Sequence, residues 1–327
     1  MGTTTLGAVT YTYDTAGRIA SRGGSLFKSV LPAATTATAV YNADNQLTSW
    51  NGVAATYDLN GNLINDGTRA FTWDARNRLT GITGVASYVY DGVDRRQSVT
   101  QGATTVTALY DGFDPVQEQS PLGTVSANLQ IGLGVDERFT RTKAGATSTY
   151  LTDLLGSTVA LADSAGVVQT SYGYDPYGVT SQTGAANDNP YQFTGRQNDG
   201  TGLYYSRARY YNPSWGRFVS EDPIGLGGGI NQYAYVQGNP VSKTDPTGQD
   251  PTSSSSSSST APTTYPHSDA PMNGTQVCGG APPSCVTAWN MCVMSGTNVV
   301  HCSKALATCN TSGVVTIFGP GIIGFGG

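Results

Sequence analysis

Aromatic residues fall two positions apart along the first part of the chain, and a carboxylate follows the second of each pair. The unit is visible as Tyr11-Thr12-Tyr13-Asp14 with Gly17-Arg18, as Phe71-Thr72-Trp73-Asp74 with Asn77-Arg78-Leu79, and as Tyr88-Val89-Tyr90-Asp91 with Asp94-Arg95. Shorter forms are Tyr57-Asp58 with Gly61-Asn62-Leu63, and Tyr110-Asp111. Tyr172-Gly173-Tyr174-Asp175 continues the series, and Tyr41 to Leu47 is a degenerate copy. Residues two apart in a strand share one face, so the pattern predicts strands with one aromatic face, each closed by the turn that its Asp begins. Asp14, Asp44, Asp58, Asp74, Asp91 and Asp111 recur every 14 to 30 residues, which fits one hairpin per unit. They read as turn formers rather than catalysts, and Tyr13, Tyr57, Trp73 and Tyr90 are expected in strands, packed on neighbouring units. A single unit buries too little to fold, whereas stacked copies share one continuous sheet.

Two further turn signatures stand apart from this series. Asp222-Pro223-Ile224-Gly225 and Asp245-Pro246-Thr247-Gly248 are separated by 19 residues that contain the strand-like Asn231-Gln232-Tyr233-Ala234-Tyr235-Val236. Asp at the first position, Pro at the second and Gly at the fourth satisfy a type I turn, which is the plain reading of each tetrapeptide alone. Together they admit a second reading, in which the turns bring Asp222 and Asp245 into one site. Two adjacent carboxylates share a proton, one activating water and the other protonating a leaving amine.

Composition narrows the alternatives. The first histidine is His267 and the first cysteine Cys278, so residues 1–249 hold no Ser-His or Cys-His pair and no His-ligated zinc. No cofactor is implied. Charged residues make up only 12% of the chain, while Gly numbers 42 and Tyr 19, a balance of turn formers and β-formers that favours strands over helices. A net charge of −5, with the 17 basic residues scattered, argues against nucleic acid as the main partner. The N-terminal Met1-Gly2-Thr3-Thr4-Thr5-Leu6 has neither a basic nor an apolar signal region, so no Sec signal is expected, and the sequence reads equally as the downstream part of a longer polypeptide.

The repeats resemble the YD repeats of Rhs proteins, and the likeness sharpens along the chain. Tyr150-Leu151-Thr152-Asp153-Leu154-Leu155-Gly156-Ser157-Thr158 and Tyr174-Asp175-Pro176-Tyr177-Gly178 look like the opening of the Rhs repeat-associated core. Phe193-Thr194-Gly195, Gly202-Leu203-Tyr204-Tyr205, Arg207-Ala208-Arg209-Tyr210-Tyr211, Gly216-Arg217-Phe218, Asn231-Gln232-Tyr233 and Asn239-Pro240 match its remainder, ending at the second Asp-Pro motif. The resemblance covers residues 11–249. It implies a mainly β fold in which the hairpins form part of a spiralling β-cage around a variable C-terminal cargo. It also implies aspartyl autoproteolysis, with Asp222 and Asp245 as the dyad, Pro223, Gly225, Pro246 and Gly248 shaping the turns, and the scissile bond between Gln249 and Asp250. Arg217 is a candidate cation beside the carboxylates, or else a packing residue. Two departures stand out: Gln249 replaces the family's usual leucine, and the spacing of 19 exceeds the usual 18 by one, a difference that Gly227-Gly228-Gly229 has the freedom to absorb.

The chain is therefore divided into YD repeats over 1–149, the repeat-associated core over 150–249, a Ser/Pro-rich linker over 250–271 that includes seven consecutive serines, and a Cys-rich segment over 272–327. Cys285 and Cys292 lie seven apart, as do Cys302 and Cys309, so each pair falls on one side of a helix, with Ser295-Gly296-Thr297-Asn298 as the turn between. Disulfides Cys285–Cys309 and Cys292–Cys302 would staple such a hairpin and leave Cys278 over, predicting a mass four hydrogens below the reduced chain. Free buried thiols and a zinc site with His301 are the alternatives. The apolar tail Val314 to Gly327 is too short and too rich in Gly and Pro for a membrane helix and is expected to pack on the hairpin or to belong to a truncated segment, its contact with a membrane left open.

The leading reading is the C-terminal part of an Rhs polymorphic toxin, secreted or at the surface of a bacterium and used in interbacterial competition. Its own C-terminal segment would be the cargo, with an immunity protein and a secretion-system adaptor as partners. A structural or adhesive YD-repeat protein with inert Asp-Pro turns, and a truncated nonfunctional remnant, are the alternatives.

Overall fold

The computed structural model of the protein describes residues 5–30, 36–249, 252–253 and 314–318. Asp250, the five cysteines, His301 and most of the linker lie outside the described residues, and with them the hairpin and disulfide expectations.

Repeat after repeat closes with one five-residue turn. In the turns begun by Asp58, Asp74 and Asp91, the carboxylate Oδ1 accepts the backbone N–H groups two and four residues on, at 2.9–3.0 Å. The turns begun by Asp14, Asp153, Asp163 and Asp175 repeat this geometry. The fourth residue is left-handed in each: Gly17, Gly61, Asn77, Asp94, Gly156, Gly166 and Gly178 all have positive φ, which explains why Gly, Asn and Asp fill that position. Asn42, rather than the expected Asp44, begins the degenerate copy, because an amide oxygen accepts the same two N–H groups and residue 44 lies within the turn. Asp111 also departs from the pattern, standing opposite Asp114 across a hairpin whose loop is Gly112-Phe113.

The aromatic positions join one unit to the next. Trp73 Nε1 donates to the carbonyl of Leu63, and the hydroxyls of Tyr90, Tyr110 and Tyr174 donate to those of Leu79, Arg96 and Thr158, all at 2.7–2.8 Å. Each acceptor immediately follows the closing residue of the preceding turn. Arg78 and Arg95, which close two of those turns, also lie over the rings of Tyr90 and Tyr110 at 4.8 and 4.9 Å. Tyr13, Tyr57, Trp73 and Tyr90 are all strand residues, as the pattern predicts, and Tyr57 meets Tyr233 edge-on. Tyr13, the last residue of its strand, is more exposed than the pattern predicts, while Tyr11 two residues earlier is buried.

Twelve strands, from Phe71–Trp73 to Thr180–Gly184, lie side by side in sequential order in one antiparallel sheet, which passes through residue 150 without a break. The main chain then builds a smaller four-stranded sheet from Gln197–Asn198, Tyr204–Ser206, Arg209–Asn212 and Arg217–Phe218. Strand alternation sends Tyr205 and Tyr210 against Phe71, Leu79 and Tyr88 of the long sheet, and Tyr204 and Tyr211 against Phe193, Phe218 and Tyr235 on the other side. Both faces of the small sheet are thereby buried, each large side chain contributing about 1.5–3 kcal/mol. Lys243–Thr244 pairs with Thr252–Ser253, and Val314–Phe318 pairs antiparallel with the first strand, Thr5–Tyr13. Among the described residues no helix is long and apolar enough to cross a membrane.

Candidate active site

The two Asp-Pro motifs fold with the turn logic of the repeats. Gly225 and Gly248, each the fourth residue of its motif, have φ of 60° and 74°. Asp222 Oδ1 accepts the Ile224 N–H at 3.1 Å, while Asp245 Oδ1 accepts the N–H groups of Gly248 and Gln249 at 2.8 and 3.1 Å. Gly248 cannot be replaced cheaply, since a Cβ there would lie 2.2 Å from the Ser206 carbonyl oxygen. Asp222 and Asp245 are 6% and 2% exposed, so both carboxylates have left water.

One cation compensates both. Arg209, on the strand Arg209–Asn212, directs the same Nη2 at Asp222 Oδ2 (2.8 Å) and Asp245 Oδ2 (3.4 Å). Its Nη1 donates to the Gln232 carbonyl at 2.9 Å, its Nε to the Gly248 carbonyl, and its guanidinium stacks 3.6 Å from the Phe218 ring centroid. The structure thus brings the two aspartates singled out by the motifs to one guanidinium, which bridges them. Burial lifts Asp222 above its ordinary carboxylate value, Arg209 opposes the rise, and the neighbouring Asp245 adds to it. Burial likewise pushes Arg209 below the ordinary arginine value, against the pull of the two carboxylates.

Arg217 stands elsewhere. Its guanidinium lies between the rings of Tyr41 and Tyr233, at 4.9 and 5.1 Å, and donates to the Asn45 carbonyl, anchoring an early repeat to the core. The signal for Arg209 was present in Arg207-Ala208-Arg209-Tyr210-Tyr211, where two arginines precede paired tyrosines of a strand buried on both faces. A charge in such a strand requires a counter-charge.

Gly228 ties the carboxylates to the expected cleavage point. A Cβ on this residue would lie 2.4 Å from Asp222 Oδ2 and 3.5 Å from the carbonyl oxygen of Gln249. The absent side chain therefore leaves room for the Asp222 carboxyl and the Gln249 carbonyl to face the same small space. Asp222, Pro223, Gly225 and Gln249 line a cavity of about 420 Å³ together with Arg78 and Asp94 of the repeat turns. A water molecule entering there meets a carboxyl and a peptide carbonyl, the components that hydrolysis needs.

Comparison with known proteins agrees with this architecture. Residues 1–241 match the family described as Teneurin YD-shell. Over 229 residues the chain is 35% identical to the tRNA3(Ser)-specific nuclease WapA of Bacillus spizizenii, covering 65% of this chain and 10% of that protein. It is 29% identical to the double-stranded DNA deaminase toxin A of Burkholderia cenocepacia, with 74% of this chain and 21% of the relative covered, and 41% identical over 100 residues to toxin protein Tse5 of Pseudomonas aeruginosa, 30% of this chain and 8% of the relative. The chain thus spans only about a tenth of the length of the WapA relative. The crystal structure of TcdB2-TccC3 without its hypervariable C-terminal region shares the fold, with a TM-score of 0.52 at 22% identity over 74% of this chain and 17% of that one. On the match that spans most of its length, the chain belongs to the teneurin YD-shell family, the Rhs/YD-repeat group that its motifs resemble.

Proposed function

We propose that this YD-shell chain cuts itself between Gln249 and Asp250, with Asp222 and Asp245 as the acid–base pair, and so separates the shell from a C-terminal effector. The observation that carries this reading is the placement of the Asp222 carboxyl and the Gln249 carbonyl around Gly228. Water adds its oxygen to the Gln249 carbonyl carbon and gives one proton to the Asp245 carboxylate. The carbon–nitrogen bond to Asp250 breaks as Asp222 delivers its proton to the departing nitrogen, and a proton passing from Asp245 back to Asp222 restores the pair. Burial makes Asp222 easier to protonate than a surface aspartate, which suits it to deliver a proton. Arg209 is a positioning residue that holds both carboxylates and the Gly248 carbonyl in register.

The toxin context comes from the names of the relatives, and the shell supports it as a container wall: a long sheet of stacked hairpins that turns its closing residues into a second buried layer. The effector released would be the segment after residue 271, with an immunity protein and a delivery adaptor as its partners outside the chain. The test is expression of the full chain, followed by intact mass. A break after Gln249 that disappears in Asp222→Asn supports the reading. A parent that remains whole at all times supports an inert scaffold instead.

A further inference from the structure

Beside the aspartates lies a second group of buried charges that the cutting step does not use. Arg138, Arg196 and Arg207 surround Asp114 and Asp136. Arg138 Nη2 meets both carboxylates at 3.2 Å, Arg207 Nη2 meets them at 3.1 and 2.9 Å, and Arg196 Nη2 pairs with Asp136. The Arg138 and Arg196 side chains are only 4% and 6% exposed. Three guanidinium groups thus face two carboxylates, and the Nε of all three arginines has no hydrogen-bond partner among the described residues. Burial, together with the charge of Arg207, holds Arg196 well below the ordinary arginine value, and burial lowers Arg207 as well. A buried excess of positive charge with unused donors is costly unless an anion completes it.

The same arginines hold the chain just ahead of the expected cut. Arg196 Nη1 donates to the Pro246 carbonyl at 3.0 Å, and Arg207 Nη1 donates to the same oxygen. A cavity of about 250 Å³ lies against them, lined by Arg138, Arg196, Arg207, Tyr205, Thr247 and Gln249. Gln249 borders both this cavity and the one that holds Asp222. Of the other charges at its edge, Asp94 is paired with Arg76 and Arg78, and Arg95 with Asp91.

We propose that this cavity is a carboxylate-binding site that receives the α-carboxylate created at Gln249 when the chain is cut, an inference that rests on the self-cleavage reading. Hydrolysis turns the neutral Gln249 carbonyl, which faces Asp222 in the joined chain, into the anion of a freed chain end, and Gln249 borders both cavities, so that end need only turn across to meet an arginine cluster that lacks an anion. The planar, forked donors of guanidinium match a carboxylate in two-point geometry. Pairing the new terminus lowers the energy of the cut state relative to the joined one and keeps the severed end of the shell docked, so the wall does not open where the effector leaves.

Acetate is the probe, added to the full chain carrying Asp222→Asn so that the peptide bond stays whole. Carbon-13 acetate line broadening is expected to report saturable binding. Binding should be at least tenfold weaker with Arg196→Gln added, and likewise at least tenfold weaker than in the whole chain for the cut parent, where the Gln249 carboxylate occupies the cavity. Acetate that binds equally with Arg196→Gln present overturns the site, and equal binding to cut and whole chains overturns the assigned occupant. Because Arg196 is buried, Arg207→Gln, whose side chain reaches the surface, repeats the test, with circular dichroism verifying the strands. A parent that never cuts defeats the self-cleavage reading alone; acetate binding to the whole chain then decides the cavity, and the absence of saturable binding overturns it.

Discussion

Asp74 and Asp222 begin turns of the same kind and have opposite electrostatic fates. Burial pushes Asp74 upward, but the Arg78 side chain and two turn N–H groups outweigh it and leave its carboxyl below the ordinary value. Asp222 has one partner N–H and half of an arginine, since Arg209 also serves Asp245, and burial prevails. Each repeat aspartate that closes on its own arginine four residues later, as Asp14, Asp74 and Asp91 do, is a self-contained structural unit. Asp153 shows that the motif alone does not set the outcome: its turn is that of the repeats, but it is buried, its ion pair with Arg22 is 3.9 Å long, and it too is raised. Burial, weighed against the closeness of the compensating cation and the turn N–H groups, separates a turn former from a candidate acid.

The largest expected effect breaks the comparison at the aspartates themselves. Asp222→Asn and Asp245→Asn retain an acceptor for the turn but remove the titrating proton, so each should slow cutting by about a hundredfold to ten-thousandfold, the usual weight of general acid–base catalysis. Asp74→Asn should leave cutting unchanged in the same gel series, and equal processing in all three variants would remove the dyad.

Next is the shared cation. Arg209→Gln leaves two buried carboxylates uncompensated and should cost about 3–5 kcal/mol at neutral pH in urea denaturation. Arg78→Gln, at a half-exposed turn pair, should cost about 1 kcal/mol or less. Comparable losses would mean that the two regions do not differ as described.

The direction of pH dependence sharpens the contrast. The raised Asp222 favours folding fully below the ordinary carboxylate pKa and loses that contribution as pH rises through its folded value. The lowered Asp74 and Asp91 contribute above the ordinary value and lose it as pH falls through their folded values. Denaturation from pH 3 to 7 should therefore show Asp222→Asn gaining stability relative to the parent toward neutral pH, and Asp74→Asn losing it; the same slope for both would refute the opposite fates.

Smaller effects test the two layers separately. Tyr90→Phe removes the bond to the Leu79 carbonyl and should cost about 1 kcal/mol with cutting unchanged. Gln249→Leu places an apolar side chain beside Tyr110, Phe113 and Tyr205 and should hasten cutting about fivefold, equivalent to about 1 kcal/mol at that surface. A parent that stays whole while Gln249→Leu cuts would locate the defect in the cleavage residue rather than in the aspartates.

The sequence by itself determined what is local. Strands with aromatic residues two apart, turns begun by Asp and closed through a left-handed Gly, Asn or Asp, and two Asp-Pro turns marked as a pair are all properties of a few consecutive residues, where steric limits and side-chain hydrogen bonds act without help from the rest of the chain. Even there, Asn42 could replace Asp as the turn's acceptor, and periodicity alone pointed to Asp44. Tertiary structure decided what joins distant segments. It selected Arg209 over Arg217 as the cation of the pair, placed Gly228 between Asp222 and Gln249, and gathered Arg138, Arg196 and Arg207 around one aspartate in a strand of the long sheet and one in a turn between its strands. Every arginine carries the same charge in the sequence; burial and the number of carboxylates that meet it in space determine what that charge does.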